Sequence, residues 1–147
     1  MNSKKILDLL PYTTPFLFVD ALFEINENGI KGTYTYSPDE YFYKGHFKSF
    51  PVTPGVILIE TMAQIGVVCF GIYLLKDAIP KTSIPEIALS SAEIDFLAPV
   101  FPGEKVTVIS KKKYFRFNKL KCEVEMRNSL DKIVCNGTLA GILKYRN

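Results

Sequence analysis

Two kinds of hydrophobic pattern divide this chain. Residues 16–26 (FLFVDALFEIN) are dense in aromatic and aliphatic side chains and read as a strand. Glu27-Asn28-Gly29 is a turn signal, and residues 30–37 (IKGTYTYS) alternate as a second strand, so the two predict a hairpin. Pro38-Asp39 ends it, and Tyr41-Phe42-Tyr43 leads into Gly45-His46. Thr53-Pro54-Gly55 then reads as a helix start, with Thr53 as the cap and Pro54 at the first helical position. From residue 56 to about 78 nearly every position is apolar. A helix apolar on all faces must be wrapped by other structure, and Gly66 and Gly71 would let that structure approach closely. Strand patterns return over residues 84–100, 105–117, 120–127 and 132–145, with turns at Pro102-Gly103, Asn118-Lys119 and residues 128–131.

The predicted order is therefore strand, strand, long buried helix and four strands joined by short turns. Short connections make antiparallel neighbours, giving an α+β chain with one antiparallel sheet. A sheet curled around a single helix is the hotdog fold. At 147 residues, without a repeat or linker, residues 1–147 are expected to form one domain. The open sheet edges would favour pairing with a second copy.

Composition narrows the function classes. The neutral stretch of residues 61–75 falls short of the roughly 20 residues needed to span a bilayer, so a buried helix is expected rather than a membrane span. A net charge of +3 is too small to point to nucleic acid. Cys69, Cys122 and Cys135 are odd in number and form no CxxC, which suits core thiols in a reducing compartment. The N-terminal apolar run before Asp8 is too short for a signal peptide, so the expected location is cytoplasmic. With one histidine and no cysteine cluster, no metal site is expected.

Candidate chemistry lies in residues 45–64, GHFKSFPVTPGVILIETMAQ. They hold His46, the only histidine, and Glu60, the only formal charge between residues 49 and 75. A carboxyl in an apolar setting favours its protonated form and suits a general acid. An imidazole suits a general base. Gly55 falls in the first helical turn, where backbone amides lack intrahelical partners and could hold a thioester oxygen as it becomes enolate-like. Base, acid and oxyanion donor together suit proton abstraction beside a carbonyl with loss of a β-hydroxyl.

The same stretch resembles the loop-to-helix signature GHFPGxPxxPGVxxxEAMAQ of the FabZ-type 3-hydroxyacyl-(acyl-carrier-protein) dehydratases. Leu10-Pro11, residues 15–20 (PFLFVD) and residues 96–104 (FLAPVFPGE) are similar to flanking segments of that family. The resemblance covers about residues 9–140. It implies a hotdog hydro-lyase that converts 3-hydroxyacyl thioesters on acyl carrier protein to trans-2-enoyl thioesters, without a cofactor. It implies His46 and Glu60 as catalytic residues, the Gly55 amide as the oxyanion donor, and Phe47, Val56 and Gln64 around the substrate. It also implies a homodimer in which His46 of one subunit meets Glu60 of the other, with a trimer of dimers as the larger assembly. The chain departs from the pattern at Lys48-Ser49, at Tyr12 where the family has histidine, and at Leu97 and Ala98 where it has basic residues. Lys111, Lys112, Lys113 and Arg116 could replace a carrier-protein contact there, although a solvated strand surface is the simpler reading of that run. The departures suggest a pathway-specific enzyme, such as one for polyene or modified acyl chains. A hotdog thioesterase and a non-catalytic acyl-thioester-binding subunit are the competing readings.

Overall fold

The computed structural model describes residues 1–146. Its strands are β1 (Ala21–Asn26), β2 (Gly29–Thr35), β3 (Ile84–Phe96), β4 (Lys105–Arg116), β5 (Lys119–Arg127) and β6 (Ile133–Arg146). They form one antiparallel sheet in the order β1-β2-β4-β5-β6-β3. The hairpin turn at Glu27-Asn28 is set by Asn26, whose side-chain oxygen accepts from the amides of Asn28 and Gly29 at 2.8 and 3.2 Å. The turn between β4 and β5 falls on Phe117 and Asn118, one residue before the predicted place, and both have positive φ. The first strand is shorter than its pattern predicts. Residues 16–19 stay outside the ladder, where the helix holds two of them: Phe18 N–H donates to Gln64 Oε1 at 2.8 Å, and Gln64 Nε2 donates to Phe16 O at 3.0 Å.

The central helix runs Gly55–Leu74, four residues short of its expected end. It is long and apolar enough to cross a membrane, but 78% of its apolar window is buried inside the fold. Every residue from 61 to 72 is buried. Glycines set how near the sheet comes. A Cβ at Gly66 would lie 3.0 Å from Ser110 Cβ, and one at Gly71 would lie 2.9 Å from Leu143 Cδ2. Residues Gln64–Cys69 widen into a π-helical turn. Such a turn disturbs the regular carbonyl ladder, and Gly66 O is met by Ser110 Oγ–H from β4 at 2.9 Å.

A short helix, Ser3–Asp8, was not legible from the pattern. Asn2 caps it by accepting from Lys5 N at 3.0 Å, and its one fully buried side chain, Ile6, joins the core.

Candidate active site

A 3-10 turn at Tyr41–Lys44 delivers the chain to His46. The loop that follows is closed at its base by two buried hydroxyls, Tyr43 Oη and Thr53 Oγ1, 2.6 Å apart. Inside it, Val52 N–H donates to His46 O at 2.9 Å, and His46 Nδ1 lies 2.8 Å from Val52 O. A carbonyl can only accept, so Nδ1 carries the proton and the neutral ring keeps its lone pair on Nε2. The Phe47 ring stacks on the imidazole at 4.1 Å. His46 is thus oriented by the backbone, with one nitrogen available to take a proton.

The helix begins at Gly55, with Pro54 as its cap residue and no side-chain capping bond. Thr53 was expected to cap it, but its hydroxyl is turned to Tyr43 instead. Ile57 N and Leu58 N both donate to Pro54 O, at 2.9 and 3.2 Å. Among the described residues, the amides of Gly55 and Val56 have no acceptor. They are free donors at the positive end of the helix dipole. The Phe96 ring covers Gly55 closely, since a Cβ there would meet its edge at 3.1 Å. Val56 itself is 72% exposed, and Phe47, stacked on His46, is 57% exposed.

Glu60 lies on the same helix and is half-buried. Gln64, one turn on, donates from Nε2 to Glu60 Oε2 at 2.9 Å. Gln64 itself is fully buried, and its amide is also bonded to Phe16 O and Phe18 N. Expected around the substrate, it holds Glu60 and anchors the segment before β1. Burial pushes the Glu60 carboxyl above its ordinary range, and the Gln64 bond opposes this only in part. The carboxyl opens on a cavity of about 140 Å³ whose other walls are Tyr12, Ala63, Val67, Val68, Ile87 and Leu89. The cavity is apolar apart from Tyr12 and Glu60, a setting in which a carboxyl keeps its proton more readily than in water.

Among the described residues no hydrogen bond or ion pair joins His46 to Glu60, and His46 takes no part in shifting the Glu60 carboxyl. Around His46 and Gly55 lies an exposed apolar surface that includes Phe47, Phe50, Val56, Phe96 and Leu97. Beside it runs β3, an edge strand left exposed through its middle.

The basic run on β4 does not line the Glu60 cavity. Lys113 pairs with Glu123 at 3.8 Å, and Arg116 lies over the Tyr114 ring at 4.6 Å. The three cysteines are free and buried. Two features escaped the sequence pattern: the Tyr43–Thr53 pair and the place of Tyr12 beside Glu60. Tyr12 had stood out only as a departure from the family histidine.

A family model described as a FabA-like domain matches residues 10–134. The 3-hydroxyacyl-(acyl-carrier-protein) dehydratase FabZ of Petrotoga mobilis is 39% identical over 106 residues, 72% of each chain. The enzyme of the same name from Clostridium perfringens is 32% identical over 143 residues, covering 95% of this chain and 96% of its own. Among solved structures, the dehydratase heterocomplex ApeI:P from Xenorhabdus doucetiae matches with a TM-score of 0.78 at 16% identity. That match covers 95% of this chain and 90% of the other.

Proposed function

This chain belongs to the FabA-like domain family and is a dehydratase, and we propose that it removes water from 3-hydroxyacyl carrier-protein thioesters with His46 as base and Glu60 as acid. The observation that carries the residue roles is the environment of Glu60. It is a carboxyl that burial favours in its protonated form, fixed by Gln64 and open to an apolar cavity. An ion-pairing carboxylate would instead sit beside a cation, and among the described residues none pairs with Glu60.

The reaction follows from these groups. His46 Nε2 takes the proton on C2, and the electron pair of that bond moves toward the thioester carbonyl. The oxygen, becoming enolate-like, accepts from the free Gly55 N–H. As the carbonyl re-forms, the pair makes the C2–C3 double bond, the C3–O bond breaks, and the hydroxyl leaves as water with the proton of Glu60. Solvent exchange returns the proton from His46 and reloads Glu60. No electron is gained or lost, so no redox cofactor is required.

Among the described residues no bond joins His46 to Glu60 within a chain, which supports a complete site that takes one from either subunit of a homodimer. The exposed edge of β3 and the apolar surface around His46 support that assembly. The departures at Tyr12 and Lys48-Ser49 support a pathway-specific acyl chain, such as a polyene precursor. The substrate arrives on acyl carrier protein, in the reducing compartment that suits three free thiols. The test is incubation with 3-hydroxyacyl carrier proteins and mass spectrometry. Loss of one water with the thioester intact is expected. Release of free carrier thiol would instead identify a thioesterase, and binding without turnover a non-catalytic subunit.

A further inference from the structure

Glu60 can protonate the C3 hydroxyl only if that hydroxyl lies at its carboxyl. The acyl chain beyond C3 must then continue into apolar space touching Glu60. The cavity of about 140 Å³ is such a space. A cavity of roughly 150 Å³ admits benzene, so this one holds about six carbons. At its margin stands Tyr12, and on the other side of Tyr12 lies a second groove of about 310 Å³. Leu9, Leu10, Pro11, Ile84 and Pro85 give that groove an apolar floor, and Asp8 and Arg146 stand among its other walls, where the far end of a long chain would reach solvent. Tyr12 is the one residue common to the two linings.

We infer that the ring of Tyr12 is the end wall of the acyl cavity and sets how far a substrate chain can extend beyond C3. The inference rests on the dehydratase reading and names a specificity determinant for it. The ring is half-buried and packs against the hydrophobic core, which holds the wall in place. Its hydroxyl has no hydrogen-bond partner among the described residues, so shape rather than a polar bond does the excluding. A 3-hydroxyhexanoyl chain has three carbons past C3 and fits. A 3-hydroxydodecanoyl chain has nine and must displace the ring. In an apolar pocket one misfit methylene changes kcat/KM by roughly 10–200-fold.

The experiment measures kcat/KM for both substrates, each on acyl carrier protein, with wild type, Tyr12→Phe, Tyr12→Val and Tyr12→Ala. Wild type and Tyr12→Phe are expected to prefer the hexanoyl substrate equally strongly. The two truncations, by joining the cavities, should raise the dodecanoyl-to-hexanoyl ratio by about tenfold or more. Tyr12→Val removes less packing and serves if Tyr12→Ala fails to fold. An unchanged ratio in a folded truncation that still turns over the hexanoyl substrate would overturn the wall while leaving the dehydratase reading in place. A shift in Tyr12→Phe would also overturn it, by assigning selectivity to the hydroxyl. Wild type that dehydrates neither substrate would overturn the dehydratase reading, and the wall with it.

Discussion

His46 is held by backbone carbonyl and amide groups of its own loop, and it adds a half-buried ring rather than a core side chain. His46→Ala should therefore stay folded while dehydration falls by about 10²–10⁴, measured by steady-state turnover beside a melting curve. Glu60 predicts a pH effect on stability whose sign is fixed by its raised pKa. A carboxyl raised in the folded state contributes most below its unfolded pKa, and that contribution is lost as pH rises through the folded value. Glu60→Gln has no such loss. The melting temperature of Glu60→Gln relative to wild type should thus climb as pH rises from the ordinary carboxylate range upward, and a pH-independent difference would contradict the raised pKa. The Tyr43–Thr53 bond makes a third prediction. In a double-mutant cycle of Tyr43→Phe and Thr53→Val, the coupling read from denaturant melts should be about 0.5–3 kcal/mol. His46, Glu60 and Gly55 stand out in the sequence by residue type and spacing, and the roles proposed for them rest on that together with the surroundings of Glu60. Gln64 was legible only as a neighbour of Glu60. Its grip on Phe16 and Phe18 joins residues 46 to 48 positions apart, which no local pattern reveals.

At the scale of elements, periodicity located all six strands and the helix but misplaced their ends. The ends are set by contacts from elsewhere in the chain. Gln64 holds Phe16 and Phe18 away from β1, and Tyr43 takes the Thr53 hydroxyl that would have capped the helix. The N-terminal helix was missed because six residues with a single fully buried side chain show no usable period. The π-helical turn was equally silent, since it depends on Ser110 reaching Gly66 O across the helix–sheet interface. Ser110→Ala would leave that buried carbonyl without its partner. A loss of about 1–3 kcal/mol in unfolding free energy is expected from urea melts, and an unchanged midpoint would show that the bond does not hold the turn.

Over the whole molecule, a six-stranded sheet wraps one buried helix and leaves the β3 edge and an apolar surface near His46 uncovered. Exposed faces of this kind favour a second copy, and the proposed mechanism would give that copy a chemical role. The central claim is that each active site is built across two subunits. Co-refolding His46→Ala with Glu60→Gln tests it most directly. Each variant alone should be inactive as a homodimer, and the Glu60 amide keeps its shape but cannot supply an acid proton. In a mixed dimer one site carries both lesions while the other keeps both native groups. Random reassortment makes about half the dimers mixed, so dehydration should return to about a quarter of wild type. No recovery, with subunit exchange confirmed by differently tagged chains, would contradict the shared site.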